Sequence, residues 1–318
     1  FLKQNFKSEI KHYITLADYS LPNKFFTKKH VSIRRFMINV PLYLKEIGEE
    51  HLRFMRIQKR YKFELIISDT RFGVYDNRVP SYLIDHHIKV GLSGFFKHID
   101  IMSELALVAV KQKFDSLLIP DFERKSLGGD YTHHFKIMKD EYRYIGMLSM
   151  MKKQRVKSDI DYFFSISGPE PQRTIFEKKV LSSIKRLDGN IVVTLGKPEV
   201  KKTRKIANAT IYGCLNAQDQ CAIMNRSKLI ITRSGYSTVM DLAELGKRAL
   251  LIPTKGQPEQ EYLAQYHLKQ GHFYTVSLDD FKVDRDLCIA QRFPGFQTKR
   301  KTADTVKEFV KAVTPESI

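Results

Sequence analysis

The sequence predicts an α/β protein of two domains, each built on a parallel sheet, with a cleft where the two sheets face each other. Three observations predict it. The chain has 318 residues, too many for one ordinary core and well matched to two domains of about 150 residues. Short, nearly continuous apolar runs recur along it, as in strands buried on both faces. Amphipathic helical segments lie between those runs, and strand–helix alternation produces a parallel sheet covered on both sides.

The elements follow in chain order. FLKQ at Phe1 reads as the end of a helix, and KHYITL (Lys11–Leu16) follows as a strand, so the sequence is expected to begin inside a fold. Leu42–Tyr61 places apolar residues at helical spacing among charges. Strands are expected at Phe63–Ser68, Pro80–Ile84, Ser116–Pro120 and Arg143–Leu148. The polar, basic stretch Met150–Asp161 is the expected linker, which divides the chain into a domain over 1–150, a linker over 151–160 and a domain over 161–318. The second half alternates most cleanly. Its strands are expected at Tyr162–Ser167, Asn190–Gly196, Ala209–Gly213, Lys228–Arg233, Arg248–Pro253 and His272–Ser277. Helices are expected at Thr174–Leu187, Asn216–Arg226, Ser237–Lys247 and Glu259–Gln270. A last helix, Thr302–Val313, suits either domain.

Composition narrows the function classes. A hydrophobic share of 42% and a charged share of 28% are those of a globular protein. The longest apolar stretch, Leu105–Val110, is far short of the ~20 residues that span a bilayer. No signal-peptide pattern opens the chain. Cys214, Cys221 and Cys288 are sparse and lack ligand spacing, which argues for a reducing, cytoplasmic setting and against a disulfide scaffold or zinc site. The net charge is +19, and both halves are basic, the first more so. Such a surface attracts phosphorylated substrates, nucleic acid or an anionic membrane, and otherwise simply keeps the protein soluble.

Three strand-to-helix joints in the second half could carry chemistry. At TRSGYSTVMDLAELGK (Thr232–Lys247), Ser234 and Gly235 turn the chain, and Ser237 or Thr238 is expected to cap the helix. Free N–H groups and the helix dipole there favour phosphate, and Arg233 would add a cation. At TKGQPEQEYLA (Thr254–Ala264), Gln257, Glu259 and Gln260 open a helix. They serve either as capping residues or as mixed donors and acceptors for sugar hydroxyls. At SISGPEPQRT (Ser165–Thr174), Ser167 and Gly168 make a tight turn before Gln172, Arg173 and Thr174. Asp241, one turn into its helix, could hold a ribose diol. Each joint alone is also an ordinary strand–turn–helix connection. Together they are what a domain needs to hold a nucleoside diphosphate joined to a hydroxyl-rich group.

These motifs resemble the donor half of a GT-B glycosyltransferase of the family-28 C-terminal-domain type, the group of the peptidoglycan N-acetylglucosaminyltransferase and uncharacterised relatives. The first half resembles the same group through Leu65–His87, Leu117–His134 and Tyr144–Ser149. The resemblance implies two Rossmann-like domains and a UDP-sugar donor, with N-acetylglucosamine as the suggested sugar and no metal or other cofactor. It implies a hydroxyl acceptor, lipid-linked in related enzymes. The turn falls on Ser234 and Gly235, the ribose-holding acid on Asp241, and the sugar-reading pair on Gln260 and Glu261. The second member of that pair departs from the group's glutamine. The group's glycine-rich loop with its general-base histidine has no counterpart here and is expected upstream of Phe1.

Within the chain, Asp69 at a strand end is the remaining catalytic candidate, followed by His86–His87 and His133–His134. Adjacent histidines in a strand face opposite ways, so only one of each pair could reach a cleft. No set has metal-ligand spacing. The basic, partly apolar segment His51–Lys62 would suit an anionic membrane face, or is a solvated helix. Two rival readings remain: a UDP-sugar epimerase of the same fold, and a non-catalytic nucleic-acid or membrane binder. No RNP, KH or helix-turn-helix signature supports nucleic acid.

Overall fold

The apolar runs of the first half become four short parallel strands. In the computed structural model, which describes residues 12, 14, 33–86, 108, 111–133 and 142–313, these are β1 (Ile66–Asp69), β2 (Ser81–Ile84), β3 (Ser116–Ile119) and β4 (Tyr142–Tyr144). They pair in sequence order, all parallel. The strand expected at Lys11–Leu16 and the apolar stretch Leu105–Val110 lie largely outside the described residues, as do His87 and His134.

A long helix, α1 (Ile33–Tyr61), covers this sheet and starts earlier than its periodicity suggested. Ile47, Glu50, Phe54 and Gln58 are buried, a helical spacing that lays one stripe on the protein. Ile47 packs with Phe72, Leu83, Phe114, Leu117 and Ile119. The helix comes so close to the β1–β2 connection that a Cβ at Gly73 would sit 2.6 Å from the Ile47 carbonyl oxygen. Only glycine permits that approach. The opposite face of α1 leaves Leu42 and Leu52 exposed, and Leu44 is exposed on the flank of the stripe.

The second sheet has seven strands: β5 (Ile160–Ser165), β6 (Ile191–Thr194), β7 (Arg204–Ile206), β8 (Ala209–Tyr212), β9 (Ser227–Thr232), β10 (Ala249–Leu251) and β11 (Tyr274–Thr275). Their order is β11-β10-β9-β5-β6-β8-β7, with only the β7–β8 pair antiparallel. Helices α2 (Gln172–Ser183), α3 (Ala217–Arg226), α4 (Tyr236–Leu245) and α5 (Pro258–Lys269) connect strands, and α6 (Val283–Ala290) follows the last of them. The continuous apolar character of β5 and β9 has a direct cause. Phe163 and Ile230 belong to one buried cluster, and their neighbours Phe164 and Ile231 to another across the sheet.

The strand expected over Arg143–Leu148 ends at Tyr144. Beyond it the backbone still follows β3: Ile145 N donates to Ile119 O and Gly146 N to Asp121 O. The chain then crosses to the second sheet. The last helix, α7 (Thr302–Val313), settles a choice that the sequence left open. Val313 packs with Leu118 and Ile145, and Phe309 joins them, so the helix returns to the first sheet. Its start stays tied to the second domain, where the Glu244 carboxylate accepts from Thr302 N and Oγ1.

A single loop forms much of the contact between the domains. Asp121, fully buried, accepts from the N–H groups of Phe122, Leu127 and Gly128 and from the hydroxyls of Ser126 and Thr132. The loop so stapled meets α5: Asp130 N donates to Tyr262 Oη at 2.7 Å, and Tyr266 Oη donates to Ser126 O at 3.1 Å. Buried His267 contacts Leu127 O through Nε2 at 3.0 Å. Burial pushes the His267 imidazole down to about 3, so it is neutral and its Nε2–H donates. Tyr236, at the start of α4, donates to Pro120 O at 2.8 Å.

Candidate active site in the interdomain cleft

Parallel sheets gather loop chemistry at the carboxyl ends of their strands, and here both sheets point those ends into one cleft. A cavity of about 530 Å³ lies there. The first domain supplies Asp69 at the end of β1, Asp85 and His86 after β2, and Pro120 after β3. The second supplies Tyr236, Ser237, Met240 and Asp241 from α4. A smaller cavity of about 200 Å³ adjoins it, lined by the strand ends Ser165, Thr194 and Thr232, with Ser167, Thr238 and Asp241. Strands β5 and β9, neighbours in the sheet, run on to different sides of it, so the smaller cavity sits at the topological switch point.

Asp241 lines both cavities. Its Oδ1 accepts from Ser149 Oγ at 2.6 Å, a residue of the crossing between the domains. Burial raises the Asp241 carboxyl to about 6, with nearby Glu244 adding to the rise and Ser149 opposing it. Burial likewise raises the Asp69 carboxyl, while His86 lowers it. His86 lies just past the end of β2, so the opposite-face argument for adjacent strand residues does not govern it. Its ring stacks on Tyr236 at 4.4 Å and 4°, and its Nε2 stands 3.5 Å from Glu259 Oε1.

The three joints of the second domain do converge, through a residue whose role differs from the expected one. Arg233 is 2% exposed and does not offer its charge to the cleft. Its guanidinium donates to the carbonyls of Ser167 and Gln172 at the first joint and to those of Ile252 and Pro253 at the third. The guanidinium also lies over the Phe176 ring at 4.5 Å, and burial lowers it to about 10. Arginine suits this position because its planar fork spreads five donors over several acceptors. Gly168 has φ +113° in this corner, a conformation that side chains rarely adopt.

Other expected residues also turn inward on their own loops. Arg173 pairs with Glu170 and donates to Gly196 O at 2.5 Å. Gln260 Oε1 accepts from Thr254 N, Gln260 Nε2 donates to Gln257, and Ser234 Oγ donates to Gln260 O. Glu261 accepts from Gly256 N. The cap of α4 is Gly235, not Ser237 or Thr238, because the extended backbone of Gly235 starts the helix one residue early. That shift leaves both hydroxyls on the first turn, facing the cavities. Among the expected residues, Asp69, Ser167, Ser237, Thr238 and Asp241 therefore line the cavities. Gly168, Gln172, Arg173, Arg233, Ser234, Gly235, Gln257 and Gln260 build the corners behind them, and Glu259 reaches the cleft through His86.

Sequence reading misses Tyr236, Ser149 and Gln220, which lines both cavities. Tyr236 lies within the TRSGYSTVMDLAELGK segment. Gln220 and Ser149 carry no local signal. Among the described residues no group of three His, Cys, Asp or Glu is placed to hold a metal ion, and no helix is long and apolar enough to cross a membrane.

Residues 172–290 match the model of the glycosyltransferase family 28 C-terminal domain. No curated protein matches the sequence. Among solved structures, the chain is similar to the glycotransferase of kitacinnamycin, with a TM-score of 0.58 and 12% identity over 89% of this chain and 80% of that one. It is similar to the calicheamicin glycosyltransferase CalG4 at TM-score 0.55 and 11% identity, over 94% and 85% of the two chains. Acinetobacter baumannii MurG gives TM-score 0.53 and 12% identity, over 85% and 78%. Identities this low establish architecture: the chain has the GT-B fold, and residues 172–290 of its second half are similar to the glycosyltransferase family 28 C-terminal domain.

Proposed function

We propose that the protein moves a sugar from a UDP-sugar to a hydroxyl acceptor. The observation that carries this reading is the paired cavity at the strand ends, bridged by Asp241. In it the nucleoside occupies the smaller cavity at the switch point, and the Asp241 carboxylate accepts from the ribose hydroxyls. The diphosphate meets the first turn of α4, whose leading N–H groups have no intrahelical acceptor. The hydroxyls of Ser237 and Thr238 add donors there. Charge that develops on the departing UDP is met by these fixed dipoles, without a metal ion.

The sugar lies toward the start of α5, where Gln257, Glu259 and Gln260 set its surroundings. N-acetylglucosamine is the donor sugar to try first. The acceptor enters from the first domain, past Asp69 and His86. A lipid-linked acceptor fits the outer face of α1, where exposed Leu42 and Leu52 accompany Arg53, Arg56, Lys59 and Arg60. That face would rest on an anionic membrane surface.

Calorimetry against UDP, ADP and GDP tests the donor reading. UDP should bind at least tenfold more tightly than the other two, and no binding of any of them would sink it. UDP-sugar converted to its epimer with no acceptor present would replace transfer by epimerisation.

A further inference from the structure

We propose that His86 is the general base of the reaction, with Glu259 of the opposite domain as the residue that positions it. This inference rests on the donor reading above and places on His86 the proton transfer that the family resemblance gives to a glycine-rich-loop histidine.

In a nucleotide sugar the anomeric carbon lies between the diphosphate and the pyranose. Here the diphosphate is assigned to the start of α4 and the pyranose to the start of α5. His86 contacts both: it stacks on Tyr236, the first residue of α4, and stands 3.5 Å from Glu259, the second residue of α5. It comes from the acceptor-side domain and lines the larger cavity with Asp69. A base on that side faces the anomeric carbon opposite the departing diphosphate, as an in-line displacement requires.

The step balances without further reagents. The acceptor O–H proton moves to the imidazole as the oxygen forms its bond to the anomeric carbon. The bond from that carbon to the phosphate oxygen breaks, and UDP leaves with the electron pair. Two carboxylates attend the resulting imidazolium: Glu259 holds its ring in place, and Asp69 lines the same cavity, where His86 lowers the Asp69 carboxyl. Asp85, next in the chain, pairs at 2.9 Å with Lys111, so part of its charge is compensated there.

The test needs no acceptor, because water can replace it. The probe is UDP-N-acetylglucosamine; the readouts are UDP release and donor affinity by calorimetry. His86→Ala should lower kcat about a hundredfold or more while donor Kd stays within threefold, and added imidazole should restore part of the rate. Glu259→Gln should lower kcat about tenfold, and that loss should vanish in the His86→Ala background. The base assignment is overturned if His86→Ala keeps kcat within threefold of wild type. It is also overturned if Asp69→Asn, and not His86→Ala, abolishes release, or if wild type binds the donor but releases UDP no faster than buffer. Absence of any UDP or UDP-sugar binding would instead remove the donor reading, and this inference with it.

Discussion

Replacing Arg233 by methionine separates two roles that the sequence could not tell apart. If Arg233 were a phosphate ligand in the cleft, Arg233→Met would cost donor affinity and leave folding nearly untouched. In the structure the guanidinium is buried, and its four carbonyl partners join the β5–α2, β9–α4 and β10–α5 corners. Methionine keeps contact with Phe176 but donates nothing. A buried acceptor that loses its partner costs about 1–3 kcal/mol. The Ser167 carbonyl, at 3.4 Å and in an exposed residue, is the partner most easily rehydrated. Relief from burying a cation offsets part of the loss. A net cost of about 3 kcal/mol remains. At about 2–4 °C per kcal/mol for a domain of this size, the second domain should melt roughly 6–12 °C lower. Circular dichroism melting, with and without saturating UDP, checks this. Arg233→Lys should recover little, because an ammonium cannot serve acceptors on both sides of the fork. A melting temperature for Arg233→Met within 2 °C of wild type, on a measurement of that precision, would refute the reasoning.

Asp241 should hold a ribose only as a carboxylate, so UDP affinity should fall by about tenfold per pH unit below the raised value of about 6, and Ser149→Ala should move that inflection to higher pH. The stability sign is opposite: a carboxyl raised in the folded state favours folding as pH falls from about 7 towards 4, so Asp241→Asn should raise stability near neutral pH by about 2 kcal/mol in urea unfolding. A pH-independent UDP affinity between pH 5 and 7 would remove Asp241 from the ribose. Asp121→Ala strips five hydrogen bonds from the loop that meets α5, and should expose residues 121–132 to amide hydrogen exchange while costing about 3–4 kcal/mol. Unchanged exchange in that loop would show that α5 alone holds it.

The strand runs were legible because a strand buried on both faces must be apolar at every position, and Phe163–Phe164 and Ile230–Ile231 are so in the sequence itself. The three joints were legible because turn and cap chemistry is local. Gly168 could be recognised as a turn residue from its neighbours. The early start of α4 could not, because a glycine in extended backbone is no stronger a local cap signal than the Ser237 or Thr238 hydroxyl that follows. Side-chain direction was beyond local reading. Arg233 faces inward because four carbonyls from two distant corners converge on it, and no window of sequence contains them. Ser149 meets Asp241 across 92 residues, and His86 meets Tyr236 and Glu259 only because the domains face each other. Local chemistry therefore determined which segments could build a donor site. Long-range packing decided which of their side chains reach the cleft and which hold its walls together.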